Sequence, residues 1–551
     1  MGFDRPWHRF YPAEVAKELK FEKITMPEVL TRTASRFPDN VALLFFGTRF
    51  SYGELEKLVN RFSRALQSLG VKKGDRVAMI LPNIPELVIA DYAVFRIGAV
   101  QVMNNPIYTE RELTHQLNDS GATIMITLDG LYPLALKLRG QTQAKKIVLC
   151  RLADYLPEPL KPMFPPAKVE PQPDVYFFKD LIEAQSADPV PNAAAWDDLG
   201  ALLYTGGTTG VSKGVMLTHA NISSNTQQFR NWFAGMKDGE ERMLAVFPFF
   251  HAAGYTGIQN TSIYAGWTDI LVPRPDPDTI TRLVEGFKPT LLPAVATIFV
   301  GLLNHEKFPK LDLSFVKAFL TGAAPMSAET IKAIKAIRDV PLINIYGLTE
   351  ITPMGTGIPM GGPEKYTTVG VPLPSTDLKI VDIETGTKVL AAGEEGEICF
   401  KGPQVMKGYY GKPEETAQVL RDGWLYTGDI GFLDEDGYVT IVDRKKDLII
   451  AGGYNIYPKE IDETLMTHPQ VLEVCAIGVP DEYRGETVKV FVVPKPGQAM
   501  TAEDVVSFCR ERLAPYKVPR IVEFLDTLPK SAVGKVLRRE LKDMEAKKTK
   551  T

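Results

Sequence analysis

Short apolar runs alternate with amphipathic helical segments near the start of the chain. Between Ser51 and Gly70, apolar residues recur at helical spacing, with Ser51 and Glu54 placed as a capping box and Gly70 as the end signal. The next segments predict, in turn, a strand at 76–81, a helix at 85–98, and strands at 99–103 and 122–127. Such alternation indicates a parallel sheet flanked by helices, so the fold class is α/β.

The length of the chain and changes in its pattern predict more than one domain. A chain of 551 residues exceeds what one hydrophobic core usually supports. The Pro- and Ala-rich stretch 151–195 predicts a surface excursion, because strand-helix alternation resumes after it. Short strands separated by Gly and Asp turns at 368–442 predict a small antiparallel or β-barrel-like subdomain. We therefore expect a large multi-subdomain N-terminal body over residues 1–443 and a smaller α+β C-terminal domain over 448–551.

Charge and cysteine usage exclude several classes of function. The net charge of −4 gives no broad positive field of the kind that nucleic-acid binding needs, so no nucleic-acid partner is expected. The four cysteines are scattered and form no CxxC pair, which is typical of a reducing compartment. The first residues lack the apolar core of a secretory signal, and no apolar run reaches the ~20 residues of a membrane span. We expect a cytoplasmic protein.

The stretch YTGGTTGVSKG at 204–214 follows the apolar pair Leu202–Leu203 and is rich in hydrogen-bond donors. Glycines allow close approach of the backbone, and backbone N–H groups, hydroxyls and an ammonium group all donate to anionic oxygens. The stretch is not a Walker loop, because Lys213 lies between Ser212 and Gly214 rather than within Gly-Lys-Ser/Thr. It predicts a phosphate-binding loop, and an ordinary flexible turn is the alternative.

The stretch INIYGLTEITP at 343–353 runs from a strand into a turn that holds Tyr346, Thr349 and Glu350. Ligands of open α/β sheets bind at the C-terminal ends of the strands. An aromatic face can stack on a nucleobase, and a carboxylate beside bound phosphates requires a divalent cation between them. A turn with a solvated glutamate remains the alternative.

Three later stretches also have two interpretations each. Asp429 in DGWLYTGDIG is a candidate for accepting hydrogen bonds from ribose hydroxyls or for an Asx turn. The five charged residues at 443–447 suit either a solvated hairpin turn or a mobile linker between domains. Lys535 in LPKSAVGKVLRREL is either a catalytic cation or one of 63 basic residues.

Taken in order, these stretches resemble a known family. The blocks that carry the resemblance are TGGTTGVSKG, FPFFHAAG, TGAAPMS, YGLTE, GEICFKGPQVMKGYY, DGWLYTGD, VDRKKDLIIAGGYNIYP and LPKSAVGKVLRREL. They are similar to the adenylate-forming superfamily of acyl-CoA synthetases, luciferases and nonribosomal adenylation domains, from about Phe21 to Lys542. The chain looks most like bacterial long-chain fatty acid:CoA ligases, which share Gly206 in place of the usual Ser; Ser212 also replaces the usual Pro.

The resemblance implies three cofactors and substrates: ATP, Mg²⁺ and coenzyme A. Family members let a carboxylate attack the α-phosphate of ATP, release pyrophosphate and pass the acyl group from AMP to the thiol of coenzyme A. The protein then mainly has to gather like charges and neutralise the excess that develops during phosphoryl transfer.

The resemblance also implies roles for individual residues. The resemblance implies that one loop binds the β- and γ-phosphates, and its residues are Thr205, Gly206, Gly207, Thr208, Thr209, Gly210 and Lys213. Contacts to the rest of the nucleotide fall to Thr349 at the α-phosphate, to Asp429 and Arg444 at the ribose, and to Gly322, Ala323, Ala324, Tyr346 and Gly347 at the adenine. Glu350 holds Mg²⁺, and Lys535 is the catalytic lysine that bridges the carboxylate and the α-phosphate.

For the second half-reaction, the resemblance implies a rotation of the small domain about a hinge at 444–447, with Lys446 at its centre. Gly453 then lines the path of the pantetheine arm. His251 orients the thiol site or, equally well, packs among its aromatic neighbours.

The acid is expected to be a hydrophobic monocarboxylic acid, most simply a medium- to long-chain fatty acid, because no basic residue stands near the apolar stretches FFHAAGYTG and LLPAVATIF. The alternatives are an aryl or alicyclic acid:CoA ligase, an acyl-AMP ligase that loads a carrier protein, and a luciferase-like oxygenase. A non-catalytic nucleotide or lipid sensor is the alternative from a different class, and the presence of Lys535 argues against it. Peripheral membrane contact, motivated by the Trp7–Phe10–Tyr11 cluster, and a homodimer are further hypotheses.

Overall fold

The computed structural model of the chain describes residues 5–205, 212–322, 326–451, 454–481, 483–530 and 536–548. The strands of these residues are β1 (Val41–Phe45), β2 (Thr48–Ser51), β3 (Arg76–Ile80), β4 (Val100–Asn104), β5 (Ile124–Leu128), β6 (Lys146–Cys150), β7 (Val175–Phe177), β8 (Leu199–Thr205), β9 (Lys213–Thr218), β10 (Arg242–Ala245), β11 (Thr268–Leu271), β12 (Leu291–Pro293), β13 (Ala318–Gly322), β14 (Leu342–Gly347), β15 (Met354–Gly357), β16 (Val371–Pro372), β17 (Asp377–Val381), β18 (Gly396–Lys401), β19 (Gly408–Tyr409), β20 (Leu420–Arg421), β21 (Trp424–Leu433), β22 (Val439–Arg444), β23 (Ile449–Ala451), β24 (Tyr454–Ile456), β25 (Val471–Asp481), β26 (Gly485–Pro494) and β27 (Ile521–Phe524).

The α-helices of the same residues are α1 (Met26–Arg36), α2 (Tyr52–Ser68), α3 (Pro85–Arg96), α4 (Glu110–Ser120), α5 (Tyr132–Gln141), α6 (Phe178–Glu183), α7 (His219–Trp232), α8 (Ala252–Gly254), α9 (Thr261–Ala265), α10 (Pro277–Phe287), α11 (Ala296–Leu303), α12 (Ala328–Ile337), α13 (Pro413–Val419), α14 (Pro458–Met466), α15 (Ala502–Arg510) and α16 (Arg538–Lys548). A π-helix covers Tyr255–Asn260, and short 3₁₀ helices cover Pro6–Phe10, Asp129–Leu131, Leu152–Tyr155, Lys161–Met163, Phe308–Lys310 and Thr349–Ile351. None of the helices in the described part of the chain is both long and apolar enough to cross a membrane.

The chain divides into two compact units. The first unit comprises Met1–Asp377 and Phe400–Leu425, and the second comprises Leu378–Cys399 and Tyr426–Thr551. The division passes inside β17, β18 and β21. It records which residues pack together and not which residues move, so the predicted boundary after residue 443 and the predicted hinge at 444–447 stay predictions.

Two large sheets organise the first unit. In the described residues, one sheet has nine strands in the order β16-β15-β14-β13-β12-β10-β11-β1-β2, and the other has eight in the order β19-β9-β8-β4-β3-β5-β6-β7. The inner strands of both sheets are parallel, as in the pairs β13/β14 and β4/β8, whereas the outer pairs β14/β15 and β8/β9 are antiparallel. Each sheet therefore changes strand direction beside a parallel centre, and ligands of α/β proteins bind at the C-terminal ends of such strands.

The early helices and strands form as predicted. Ser51 caps α2 by accepting a hydrogen bond from the Glu54 N–H, and the Glu54 side chain completes the capping box. Gly70 follows the helix at a φ of +86°, a left-handed conformation that favours glycine. The predicted strands at 76–81, 99–103 and 122–127 become β3, β4 and β5, all neighbours in the eight-stranded sheet. The predicted α/β fold class is confirmed.

The helix α3 is buried along its whole length, which explains its nearly continuous apolar sequence. Its one buried guanidinium, that of Arg96, donates to both carboxylate oxygens of Glu56 at 2.7 and 2.8 Å and to the Asn60 side-chain oxygen at 2.7 Å. Because a buried charge is tolerated only when it is paired, these contacts account for an arginine at this position.

The stretch 151–195 is only partly the surface excursion that its composition predicts. It contains β7, which pairs with β6 at the edge of the eight-stranded sheet, and α6, whose Phe178 and Ile182 are buried. Tyr176 and Phe177 supply the apolar residues of this edge strand, which the surrounding prolines obscured.

Two smaller sheets contain the strands of the second unit. The predicted strand-rich subdomain forms the sheet β17-β18-β21-β20, in which β20 belongs to the first unit, with β22 paired antiparallel to β21. Beyond it, the order β24-β23-β26-β25, with β27 parallel to β26, forms a second sheet that packs against α14 and α15 through a shared apolar core. The helix, two strands, helix and strand that the sequence predicts after residue 443 are present in that order as α14, β25, β26, α15 and β27, whereas β23, β24 and α16 were not predicted.

Candidate active site

The predicted phosphate loop connects two strands of the eight-stranded sheet. Strand β8 ends at Thr205 and β9 begins at Lys213, and these two residues face each other across the antiparallel ladder. β8 is parallel to its other neighbour, β4, so the loop leaves the C-terminal end of a parallel strand. The residues Gly206, Gly207, Thr208, Thr209 and Gly210 lie outside the described residues. The two ends of the loop are therefore placed where a ligand site is expected.

Lys213 is held by two side chains from a distant part of the sequence. Its ammonium group forms an ion pair with the Glu415 carboxylate and lies 4.9 Å from the centre of the Tyr409 ring. The lysine side chain is only 16% exposed. A cation over a tyrosine face is attracted by the ring quadrupole, so both contacts fix this ammonium group at the end of the loop.

Glu350 contacts the hydroxyl of the same tyrosine. It belongs to the 3₁₀ turn Thr349–Ile351 that follows β14, and its carboxylate accepts a hydrogen bond of 2.8 Å from the Tyr409 hydroxyl. Its backbone carbonyl accepts a second bond, of 2.9 Å, from the Met406 N–H. Burial and then the Glu350 charge raise the pKa of Tyr409, so this hydroxyl stays a donor.

The structure thus brings two predicted nucleotide ligands to one side chain, Tyr409, whose ring contacts Lys213 and whose hydroxyl contacts Glu350. Neither Tyr409 nor Glu415 was among the predicted site residues. The available signal was the block GYYGKPEETA, in which an aromatic residue follows a glycine and precedes a helix with two glutamates. Only the pairing of β19 with β9 shows that this block lies beside the phosphate loop.

Two predicted adenine-site glycines lie at the ends of neighbouring parallel strands. Gly322 ends β13, and a Cβ atom there would lie 2.7 Å from Cγ1 of Ile345. Gly347 ends β14, and a Cβ atom there would overlap the carbonyl oxygen of Pro353. Tyr346 contacts Phe400 with a ring distance of 6.1 Å. Ala323 and Ala324 lie outside the described residues.

We expect Gly347→Ala to lower kcat/KM by more than about tenfold and to reduce stability by about 1–3 kcal/mol, because the backbone must shift to relieve the overlap. The shift would move the turn that carries Glu350. Steady-state kinetics and the thermal unfolding midpoint test this expectation. Gly286→Ala is the matched control, since a Cβ atom there meets nothing within 4 Å. Equal behaviour of the two variants would contradict the proposed close packing.

His251 lies at the start of α8. Its Nδ1 atom accepts a hydrogen bond of 3.3 Å from the Ala253 N–H, so the ring caps this short turn. The residue is partly buried. A capping role explains the histidine structurally, and its predicted role at the thiol site stays a prediction.

In the second unit, Asp429 and Arg444 are direct neighbours across β21 and β22. Nε of Arg444 lies 3.0 Å from Oδ1 of Asp429, and the aspartate side chain is 7% exposed whereas the arginine is 38% exposed. Next along the chain, Lys445 pairs with Glu397 at 3.0 Å. The two predicted ribose ligands therefore form one preorganised ion pair.

Lys446, at the centre of the predicted hinge, is exposed overall. Loss of water around its ammonium group, followed by the nearby Arg444 guanidinium, lowers the pKa of Lys446 to about 8. Gly453, the predicted contact of coenzyme A, lies outside the described residues.

Lys535 also lies outside the described residues, but the chain on both sides of it is described. An antiparallel bridge joins Lys530 to Val536, and the Leu537 N–H donates to the Pro529 carbonyl at 2.8 Å. Shortly beyond, Arg538 pairs with the partly buried Asp462, whose pKa is raised to about 7 by loss of water around its carboxylate. The described residues on the two sides of Lys535 are thus paired with each other.

Comparison with known proteins identifies the class of this protein. The family described as "AMP-binding enzyme" matches residues 30–410, and "AMP-binding enzyme C-terminal domain" matches residues 460–535. The chain belongs to the AMP-binding enzyme family, and the predicted family and enzyme class are confirmed.

Individual relatives are similar over nearly the whole chain. A "Long-chain-fatty-acid--CoA ligase" of Bacillus subtilis is 43% identical, over 99% of both chains. A protein with the same name from Escherichia coli O157:H7 is 37% identical, over 98% of both chains. Among solved structures, ATP-bound MatB from Rhodopseudomonas palustris has a TM-score of 0.84 at 31% identity, with 95% of this chain and 99% of that one covered. The anthranilate CoA ligase AuaEII in complex with anthranoyl-AMP has a TM-score of 0.85 at 26% identity, with 96% and 98% covered.

Proposed function

We propose that the chain is an ATP-dependent, AMP-forming acid–thiol ligase that joins a long-chain fatty acid to coenzyme A through an acyl-adenylate. The observation that carries the proposal is the full-length similarity to ligases named for long-chain fatty acids. The arrangement around Tyr409 supports it, because this one side chain contacts both an ammonium group, at its ring, and a carboxylate, at its hydroxyl.

The residues of the first unit suit the binding of a metal–triphosphate. Lys213 and the loop that begins at Thr205 would bind the β- and γ-phosphates, and Thr349 would contact the α-phosphate. Tyr346, with the backbone around Gly322, would hold the adenine. In the second unit, Asp429 can accept and Arg444 can donate hydrogen bonds. This pair of groups suits the two hydroxyls of a ribose.

Glu350 fits the predicted Mg²⁺ site. Among the described residues, no group of three or more His, Cys, Asp or Glu could hold a metal ion. Mg²⁺ bound with a nucleotide typically takes one or two carboxylates, with phosphate oxygens and water as the other ligands, so a single glutamate is sufficient. When bound, the ion would neutralise phosphate charge, while Tyr409 keeps the Glu350 carboxylate in place.

Lys535 would act in the first half-reaction, and the predicted hinge would allow the second. An ammonium group beside both the carboxylate and the α-phosphate would offset the negative charge that accumulates during adenylation. Coenzyme A must then reach the acyl carbon, so Lys535 would have to leave and Gly453 would line the approach of the thiol. Rotation about residues 444–447 would achieve this exchange, with His251 near the thiol site.

The acid is best tested with a panel of substrates. We expect kcat/KM to rise from acetate through octanoate to hexadecanoate by at least about 10³-fold, since each buried CH₂ contributes about 0.8 kcal/mol. Benzoate and anthranilate represent the aryl alternative that the AuaEII similarity raises. Formation of acyl-CoA from each acid gives the result, and a preference for an aryl acid would overturn the long-chain assignment.

Other finer features of the proposal concern location and partners. The cytoplasm and a homodimer stay predictions, to be checked by cell fractionation and by sedimentation. Membrane contact also stays a prediction; of the cluster that motivated it, Trp7 is 1% exposed and the Tyr11 ring lies 5.2 Å from that of Trp232. Co-sedimentation with anionic liposomes would support the membrane hypothesis, and its absence would contradict it.

A further inference from the structure

The ammonium group of Lys213 forms an ion pair within the protein itself. Its ammonium group already pairs with the carboxylate of Glu415, in addition to its contact with the Tyr409 ring. In the proposed function, the same ammonium group binds the β- and γ-phosphates of ATP. A carboxylate and a phosphate oxygen are both anionic acceptors, so they compete for the same donor.

The fold holds Glu415 at this position. Helix α13 is tied to β19 because the Thr416 hydroxyl accepts a hydrogen bond of 2.9 Å from the Tyr409 N–H. The approach is so close that a Cβ atom on Gly408 would lie 2.7 Å from Cγ2 of Thr416. β19 in turn pairs with β9, the strand that begins at Lys213. Backbone pairing of β19 with β9 therefore places the Glu415 carboxylate beside Lys213.

The exposure of the two partners makes the pair stronger than an ordinary surface ion pair. Glu415 is 34% exposed and Lys213 is 16% exposed, so water screens their attraction only in part. The neighbouring Glu414 is on the same helix but is exposed. The chain thus offers two adjacent glutamates of equal charge, of which one contacts the lysine.

We propose that Glu415 is an internal anion that occupies Lys213 in the nucleotide-free enzyme and competes with the β- and γ-phosphates for it. When ATP binds, Lys213 exchanges its ion pair with Glu415 for a contact with phosphate. When pyrophosphate leaves, the ion pair between Lys213 and Glu415 forms again. The carboxylate lowers the affinity of the site for ATP and speeds the release of pyrophosphate. This inference depends on the proposed role of Lys213 in binding phosphates.

The test compares Glu415→Gln with Glu414→Gln by calorimetric titration at constant ionic strength. We expect Glu415→Gln to bind MgATP and pyrophosphate about tenfold more tightly than the parent chain, since one competing charge is removed. Binding of AMP should not change, because AMP lacks the β- and γ-phosphates. Glu414→Gln should stay within about twofold for every ligand. Glu415→Ala removes the same charge and should match Glu415→Gln.

Removal of Lys213 separates this inference from the proposed function. In a Lys213→Ala background, the added Glu415→Gln change should no longer tighten the binding of pyrophosphate. Unchanged or weaker binding of pyrophosphate by Glu415→Gln, with AMP binding intact, would overturn the competition. Unchanged binding of MgATP by Lys213→Ala alone would instead overturn the assignment of Lys213 to the phosphates.

Discussion

Lys535→Ala is expected to reduce adenylate formation by roughly 10³-fold while leaving thioester formation from supplied acyl-AMP within about threefold of the parent rate. In the proposed mechanism, the first half-reaction brings a carboxylate to an anionic phosphate, and removal of the lysine proposed to bridge them would leave the developing charge uncompensated. The proposed second half-reaction requires this lysine to be absent from the reacting centre. Pyrophosphate exchange measures the first step, and acyl-CoA formation from purified acyl-AMP measures the second.

Lys530→Ala is the matched control for this prediction. Lys530 pairs with Val536 across the same segment, and its ammonium group pairs with Glu473 within the second unit. A half-exposed pair of this kind contributes little to stability, so both half-reactions should stay within about twofold. If Lys535→Ala lost both half-reactions equally, the account of two separate arrangements of the small domain would be wrong.

Glu350→Gln is expected to lower pyrophosphate exchange by roughly 10²–10³-fold and to weaken the binding of MgATP. The neutral amide can still accept a hydrogen bond from Tyr409, so the turn Thr349–Ile351 should keep its position. What the change removes is the negative charge that a hard divalent cation prefers as a ligand. Calorimetric titration of MgATP, beside the kinetic assay, separates loss of binding from loss of chemistry.

Tyr409→Phe supplies the comparison, because it keeps the Glu350 carboxylate and removes only the hydroxyl that holds it. We expect a loss of about 10- to 150-fold in pyrophosphate exchange, equivalent to the ~1.5–3 kcal/mol of one hydrogen bond to a charged group. The ring would remain beside Lys213, so binding of pyrophosphate alone should not change. A larger loss in Tyr409→Phe than in Glu350→Gln would contradict the assignment of Glu350 as the metal ligand.

The sequence predicts those features that depend on neighbours along the chain. The capping box of α2, its end at Gly70 and the five elements predicted after residue 443 each depend on a few adjacent residues, and all are confirmed. The order of the motif blocks also predicted the family, which the matches confirm. The roles of the site residues stay predictions, because they concern bound molecules.

The contacts of Lys213 could not be predicted in the same way. Tyr409 and Glu415 reach it only because a two-residue strand, β19, pairs with β9 across a large separation in sequence. Short edge strands carry almost no pattern of their own, and register between distant strands is set by packing. The capping role of His251 was likewise hidden, since a histidine beside aromatic residues suits a cap, a core or a site equally well.

The account is tested most directly by measuring pyrophosphate and acyl-CoA separately with purified protein, MgATP and hexadecanoate, with and without coenzyme A. The account predicts that, with coenzyme A present, pyrophosphate and acyl-CoA rise together in equal amounts. Without coenzyme A, it predicts little more than one pyrophosphate per enzyme molecule. About one pyrophosphate per enzyme molecule and no acyl-CoA, even with coenzyme A present, would assign a different acceptor that the assay lacks, such as a carrier protein. Formation of neither product would contradict the assignment of the chain as an acid–thiol ligase for long-chain acids.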